Sequence, residues 1–145
     1  PMARDERDPD GYVLEPERVA VGVSHRDQRA AVTVALQERG LGEVVVDTAN
    51  RLQGREFELV IVWHPLSGRS DASAFHLDSG RLCVLTTRHR QACIVVGRAG
   101  IKEVLEGHPP PSELHLGVSR NPELDGWEAH GRILDHLASV AVPYP

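Results

Sequence analysis

Three polar segments carry the residues best suited to chemistry: Ser24-His25-Arg26-Asp27-Gln28-Arg29, the stretch Thr48 to Glu56, and the stretch Arg81 to Arg90. All three are rich in arginine, whose guanidinium donates in a rigid planar fork and so matches an anion with several oxygens. If Arg81–Arg90 is one helix, Arg81 and Arg88 lie seven residues apart and share a face. A phosphate loop of the form Gly-x-x-x-x-Gly-Lys-Ser/Thr is absent: the glycines are scattered, and Lys102, the only lysine, follows no glycine-rich turn. Without that loop, and without an acidic strand end to hold Mg²⁺, a domain of this kind does not grip a triphosphate and its metal by itself. Its arginines can still act on a phosphate held elsewhere.

Other chemistries find less support. His64, His76 and His89 with Cys83 have no HxxxH or CxxC spacing, so no metal site is expected. His25 and His89 stand beside no Ser or Cys in a nucleophile–base arrangement. Trp63 and Trp127 read as core anchors, and with only two Phe and two Tyr a strand binder built on base stacking is poorly supported. Cys83 and Cys93, ten residues apart in apolar surroundings, read as two buried reduced thiols of a cytoplasmic protein.

Positioning those segments requires a scaffold, and the hydrophobic pattern supplies one. Val19–Val23 is a short run of the parallel, doubly buried strand type. Ser24 with Asp27 three residues on predicts a capped helix over about His25 to Arg39, with Ala31, Val34 and Ala35 on one face and Gly40 as its stop. Further strands are Val44–Val46, ending at Asp47-Thr48, then Leu59–Trp63 closed by Pro65, and Ala92–Val96 ending at Gly97. Leu82–Leu85 suits a strand or a buried helix equally. A helix near Ile101–Glu106, a break at His108-Pro109-Pro110-Pro111 and a last helix from about Asp125 complete the chain. Alternating strands and helices with Gly/Pro breaks predict an α/β domain with a mostly parallel sheet covered on both faces. Ligands then bind beyond the carboxyl ends of the strands, where all three polar segments are expected. Residues 1–18, charged and without periodicity, are expected to be a linker or inter-domain segment, and 19–145 one domain.

A length of 145 residues allows one real core. With 41% hydrophobic and 26% charged residues the chain is of ordinary globular composition. No apolar run approaches the roughly 20 residues of a membrane span, and no leader pattern is visible. The start at Pro1-Met2 suggests an internal fragment of a longer chain. A net charge of −5 excludes a polycation that binds nucleic acid through bulk charge. Yet between Arg51 and Arg98 seven arginines face only four acids.

The segment Thr48-Ala-Asn-Arg-Leu-Gln-Gly-Arg-Glu56 resembles motif V of superfamily 1 helicases, approximately T-x-(D/H)-x-x-Q-G-x-E. Arg81-Leu-Cys-Val-Leu-Thr-Thr-Arg-His-Arg90 is similar to their motif VI, and Val21 to Arg29 to their motif IV. Order and spacing match over residues 19 to 98. The chain therefore resembles the C-terminal RecA-like domain of a superfamily 1 helicase of the Dna2-like or nonsense-decay-helicase-like branch. That resemblance implies an ATP-dependent helicase or translocase half, working with ATP and Mg²⁺ held mainly by a preceding P-loop domain, and on single-stranded DNA or RNA. It assigns Arg88 as the finger on the γ-phosphate and Arg29 as a second phosphate arginine, with Arg26 as substitute. Glu56 would accept from the nucleotide ribose, Gly54 would let the backbone pass close to the ligand, and Thr48 would touch a strand phosphate. Gln53 and Arg81 would brace the cleft. Departures are Asn50, Cys83, Thr86 and His89, where the family has Asp or His, Asn, Leu and Ala. Asn50, Cys83 and His89 motivate the alternative, a binding or scaffolding domain of the same fold that has lost motor function. The fragment alone is expected to lack ATPase activity.

Overall fold

Parallel strands that are apolar at successive positions must be covered on both sides, and that requirement shapes the first part of this protein. The computed structural model describes residues 2–5, 8–109 and 122–142. The elements run β1 (Met2–Asp5), β2 (Asp8–Val13), a 3-10 turn (Pro16–Arg18), β3 (Val19–Val23), α1 (Arg26–Gln37), β4 (Val45–Thr48) and α2 (Ala49–Leu52). They continue with β5 (Phe57–Trp63), α3 (Ser79–Thr86), β6 (His89–Val96), α4 (Ile101–Glu106) and α5 (Pro122–Ala138). Two compact units emerge: Pro1–Pro65 with Cys83–Val96, and Leu66–Leu82 with Gly97–Pro145, the division falling inside α3.

The first unit holds a four-stranded sheet in the order β4-β3-β5-β6, with β3 parallel to β4 and β5, and β5 parallel to β6. This is the expected α/β, RecA-like arrangement. On one face Ala20, Ala49, Leu52, Phe57, Val60, Val62 and Leu85 form a core with Val84, Cys93 and Val95 against it. On the other, Val21, Val23 and Val46 pack with Val32 and Leu36 of α1. The alternation of neighbouring residues between the two cores is the period-2 signature of a strand. Gly22 is small for a steric reason: a Cβ there would stand 2.6 Å from Leu85 Cδ2. Burying one such leucine contributes about 1.5–3 kcal/mol, so the close seat of α3 on β3 depends on this glycine.

Several expectations need correction. α1 turns Val32 and Leu36 inward, while Val34 stays 53% exposed; the inward face is set by the i, i+4 pair Val32/Leu36, not by Ala31, Val34 and Ala35. Its N-terminus is closed by Gln28, whose Oε1 accepts from the N–H of Ser24 and His25 at 3.2 and 3.1 Å, and not by Ser24 with Asp27. The Arg81–Arg90 stretch is a helix only to Thr86, and β6 already begins at His89. Cys83 is exposed, and only Cys93 is half-buried, its thiol pushed up by desolvation. Within the stretch expected as a linker or inter-domain segment, β1 and β2 pair as an antiparallel hairpin.

The second unit builds its own core from Leu66, Leu77, Ile101 and Leu105, with Trp127 and Leu134 of α5 against it. Trp127 donates its indole N–H to Leu105 O at 2.8 Å, satisfying the polar end of a largely apolar anchor. Pro110 and Pro111 of the expected break lie outside the described residues. Among the described residues, no helix is long and apolar enough to cross a membrane.

Candidate functional site

The strand register decides which of the polar segments share an edge. Val23 of β3 stands opposite Thr48, while Val19 stands opposite Leu59 and Phe57 opposite His89. Level with Thr48 and Val23, β5 has therefore reached Trp63, six residues beyond Phe57. At about 3.3 Å per residue the two levels are roughly 20 Å apart along the strands. Arg26, Arg29 and Thr48 occupy the carboxyl edge of the sheet. Glu56, Arg88 and Arg90 occupy the amino edge. The expectation that all three polar segments gather at the carboxyl ends is corrected accordingly: the second segment runs from one edge to the other, and the third enters β6 at the amino edge.

At the carboxyl edge the organiser is Asp47, a buried acid at the end of β4. Its Oδ1 accepts from the Thr48 N–H at 3.0 Å, lies 3.4 Å from Arg29 Nε and 3.9 Å from Arg51 Nε. Arg29 Nε also donates to Val46 O at 3.1 Å. A carboxylate this far from water must be paired, and Arg29 supplies that pair, so its position is fixed by β4. Thr48 then starts α2 and is half-buried. Arg26, in the first turn of α1, is exposed.

At the amino edge, Arg88 follows α3 by two residues. Its carbonyl accepts from the Phe57 N–H at 2.9 Å, which ties the chain entering β6 to the chain entering β5. Its Nη2 donates to Thr87 Oγ1 at 2.9 Å, and Thr87 in turn donates to Cys83 O at 2.7 Å. Arg88 Nε is buried with no hydrogen-bond partner among the described residues. A buried donor left in this way costs about 1–3 kcal/mol. Such a cost calls for an explanation, of which an acceptor brought by a ligand is one. On the same edge Glu56 is exposed and accepts from Arg90 Nε at 3.1 Å. Gln53 and Gly54 form the approach to this edge, both exposed. Gly54 has φ +79° and nothing within 4 Å of a Cβ, so its glycine is demanded by the left-handed backbone, and not by crowding.

Arg81 belongs to the second unit. Its guanidinium carbon stands 3.9 Å from the Phe75 ring centroid, within cation–π range, and its backbone N–H donates to Asp78 Oδ1 at 2.7 Å. Arg88 lies beyond the end of α3, so the two arginines do not share a helical face.

Thus Arg88 and Glu56 share the amino edge, Arg29 and Thr48 meet at Asp47, and the two pairs are on opposite edges. Asp47, Glu58 and Arg90 were not among the expected site residues. The signal for the two acids was present: each is a lone carboxylate inside or closing an apolar strand, VVVDT and FELVIVW, where burial obliges a cationic or hydroxyl partner. Among the described residues, no group of three or more His, Cys, Asp or Glu is placed to hold a metal.

Comparison with known proteins adds one finding: the family model described as an AAA domain matches residues 7–100, which cover the hairpin's second strand, the four-stranded sheet and all three motif-like segments. No curated protein matches the chain. By that match, and by its parallel α/β sheet, this chain belongs to the AAA domain family, a helicase-like, ATPase-associated domain found in superfamily 1 helicase-like proteins.

Proposed function

We propose that the chain is the C-terminal motor half of an ATP-dependent nucleic-acid helicase or translocase. Arg88 completes, in trans, a triphosphate site whose loop and Mg²⁺ ligands belong to a preceding P-loop domain. The observation that carries this reading is Arg88 itself: its backbone is pinned to Phe57, one terminal nitrogen is held by Thr87, and its buried Nε lacks an acceptor. Pre-positioned donors act on developing phosphoryl charge without reorganising during the reaction. Glu56, on the same edge, would accept from the nucleotide sugar. ATP–Mg²⁺ suits this edge because an anion supplies the acceptor that Arg88 lacks, while the metal ligands are the partner domain's contribution.

The carboxyl edge serves the strand. Thr48 would meet a phosphate of single-stranded DNA or RNA, with Arg26 and Arg51 exposed beside it. Arg29 is assigned here a positioning role, holding the Asp47–Thr48 corner, because its Nε is already engaged by Val46 and Asp47. Separation of nucleotide and strand contacts onto two edges of one sheet also gives a motor a means to couple them, since β3 to β6 link the edges rigidly.

The test is Arg88→Ala in the complete protein, read as nucleic-acid-stimulated ATPase. An arginine on transferring phosphoryl charge is worth roughly 10³–10⁵ in rate, so turnover is expected to fall by about 10³ or more, with Arg88→Lys recovering only part. Unchanged turnover would instead support a scaffolding domain that kept the fold without the motor.

A further inference from the structure

The amino edge is tied to the N-terminal hairpin by a line of side chains that the arginine-finger reading does not use. Glu58 is the single acid within β5, and its side chain is only 12% exposed. Tyr12, near the end of β2, donates its hydroxyl to Glu58 Oε2 at 2.9 Å. The other oxygen, Oε1, lies 3.7 Å from Arg90 Nη1. Arg90 in turn donates from Nε to Glu56 Oε2 at 3.1 Å. Arg18 closes the far end, its guanidinium carbon 5.6 Å from the Tyr12 ring centroid.

Burial decides what each link does. The Arg90–Glu56 pair is 60% exposed on both sides, and an ion pair so open to water adds almost nothing to stability. Glu58 is the opposite case: a carboxylate mostly withdrawn from water must be compensated, and Tyr12 and Arg90 compensate it. Glu58 therefore draws the Arg90 guanidinium toward β5, and from there its Nε–H reaches Glu56. The orientation of an exposed glutamate is thus biased by a partner anchored one residue pair further in.

We infer that Arg90 is the positioning residue for Glu56, and that Tyr12 and Glu58 hold Arg90, so that the β1–β2 hairpin regulates how well the amino edge receives the sugar hydroxyls of a nucleotide. The inference rests on the reading of that edge given above. A hairpin that shifts, or a partner that competes for Tyr12, would release Arg90 and let Glu56 turn away. Nucleotide affinity would change without any contact to the nucleotide itself.

The experiment compares KM for ATP with KM for 2′,3′-dideoxy-ATP in the complete protein, for wild type, Tyr12→Phe and Glu58→Gln, with Arg88→Ala turnover measured alongside. Wild type is expected to prefer ATP by about tenfold, the worth of one hydrogen bond to a charged acceptor, and both variants to lose up to about fivefold of that preference, the most that an exposed ion pair to Glu56 is worth. A merely structural role would alter both nucleotides alike and leave the ratio intact. A ratio unchanged in Tyr12→Phe and Glu58→Gln, or absent in wild type, overturns the relay. Arg88→Ala reports separately: full turnover in that variant removes the arginine-finger reading, whatever the ratio does.

Discussion

At the scale of single residues, the two arginines expected on phosphate differ in what holds them, and stability should separate them. Arg29 neutralises the buried Asp47. Removing one partner of such a pair leaves an uncompensated charge, and although Arg29 is itself 43% exposed, a loss of about 1–3 kcal/mol is expected for Arg29→Ala. Arg88→Ala removes a side chain whose Nε has no acceptor to lose, so its melting temperature should stay within a few degrees of wild type. Thermal unfolding of the two variants decides this, and equal losses would mean that Arg88 is as structural as Arg29. The arginines were legible in the sequence because their types and spacing follow helicase motifs. Their distribution between edges was not, since that depends on register, and a pattern of apolar runs does not state how many residues of β5 precede the level of Val19. Asp47 and Glu58 could have been read as demands for partners, but the partners come from β2, α1 and β6, far off in the chain.

At the scale of elements, the strands and the positions of α4 and α5 were readable from apolar runs and Pro/Gly breaks, because burial on both faces leaves little choice of residue. The inward face of α1 was not, since Ala31, Val34 and Ala35 make as good a stripe by spacing as Val32 and Leu36, and only the surface of β3 and β4 selects between them. The end of α3 at Thr86 was likewise hidden: Leu82–Leu85 fits either period, and it is the hydrogen bond from Phe57 to Arg88 that draws the chain out of the helix. In the second unit α5 passes so close to the 73–77 turn that a Cβ on Gly126 would collide with the Leu77 carbonyl. Backbone cannot yield as a flexible side chain can, so Gly126→Ala should destabilise that unit by about 1–3 kcal/mol or more. Chemical denaturation of Gly126→Ala checks this, and a midpoint equal to wild type would show that α5 does not seat there.

At the scale of the whole molecule, the sequence suggested one domain over 19–145, and the structure shows two compact units, each with its own apolar core. The second unit carries a pH liability. His130 is fully buried, and burial pushes its imidazole from 6.5 down to about 4, helped by the nearby His76 charge against a backbone hydrogen bond that works the other way. Its folded value lies below its unfolded one, so the native state binds fewer protons than the unfolded chain between those two values. Stability is thus intact above about pH 6.5 and falls as pH drops toward 4, by at most about 3 kcal/mol at 1.36 kcal/mol per unit. Urea midpoints across that window should decline in wild type and flatten in His130→Gln, and a flat wild-type profile would show that His130 is not buried neutral.

The most direct test of the two-edge account is hydrogen–deuterium exchange on the complete protein, with a non-hydrolysable ATP analogue and Mg²⁺ or with single-stranded nucleic acid. Nucleotide should slow exchange in residues 54–58 and 86–90, and the strand should slow it in 24–29 and 48–52. Nucleotide protection at 24–29 and 48–52, with none at 86–90, would contradict the account.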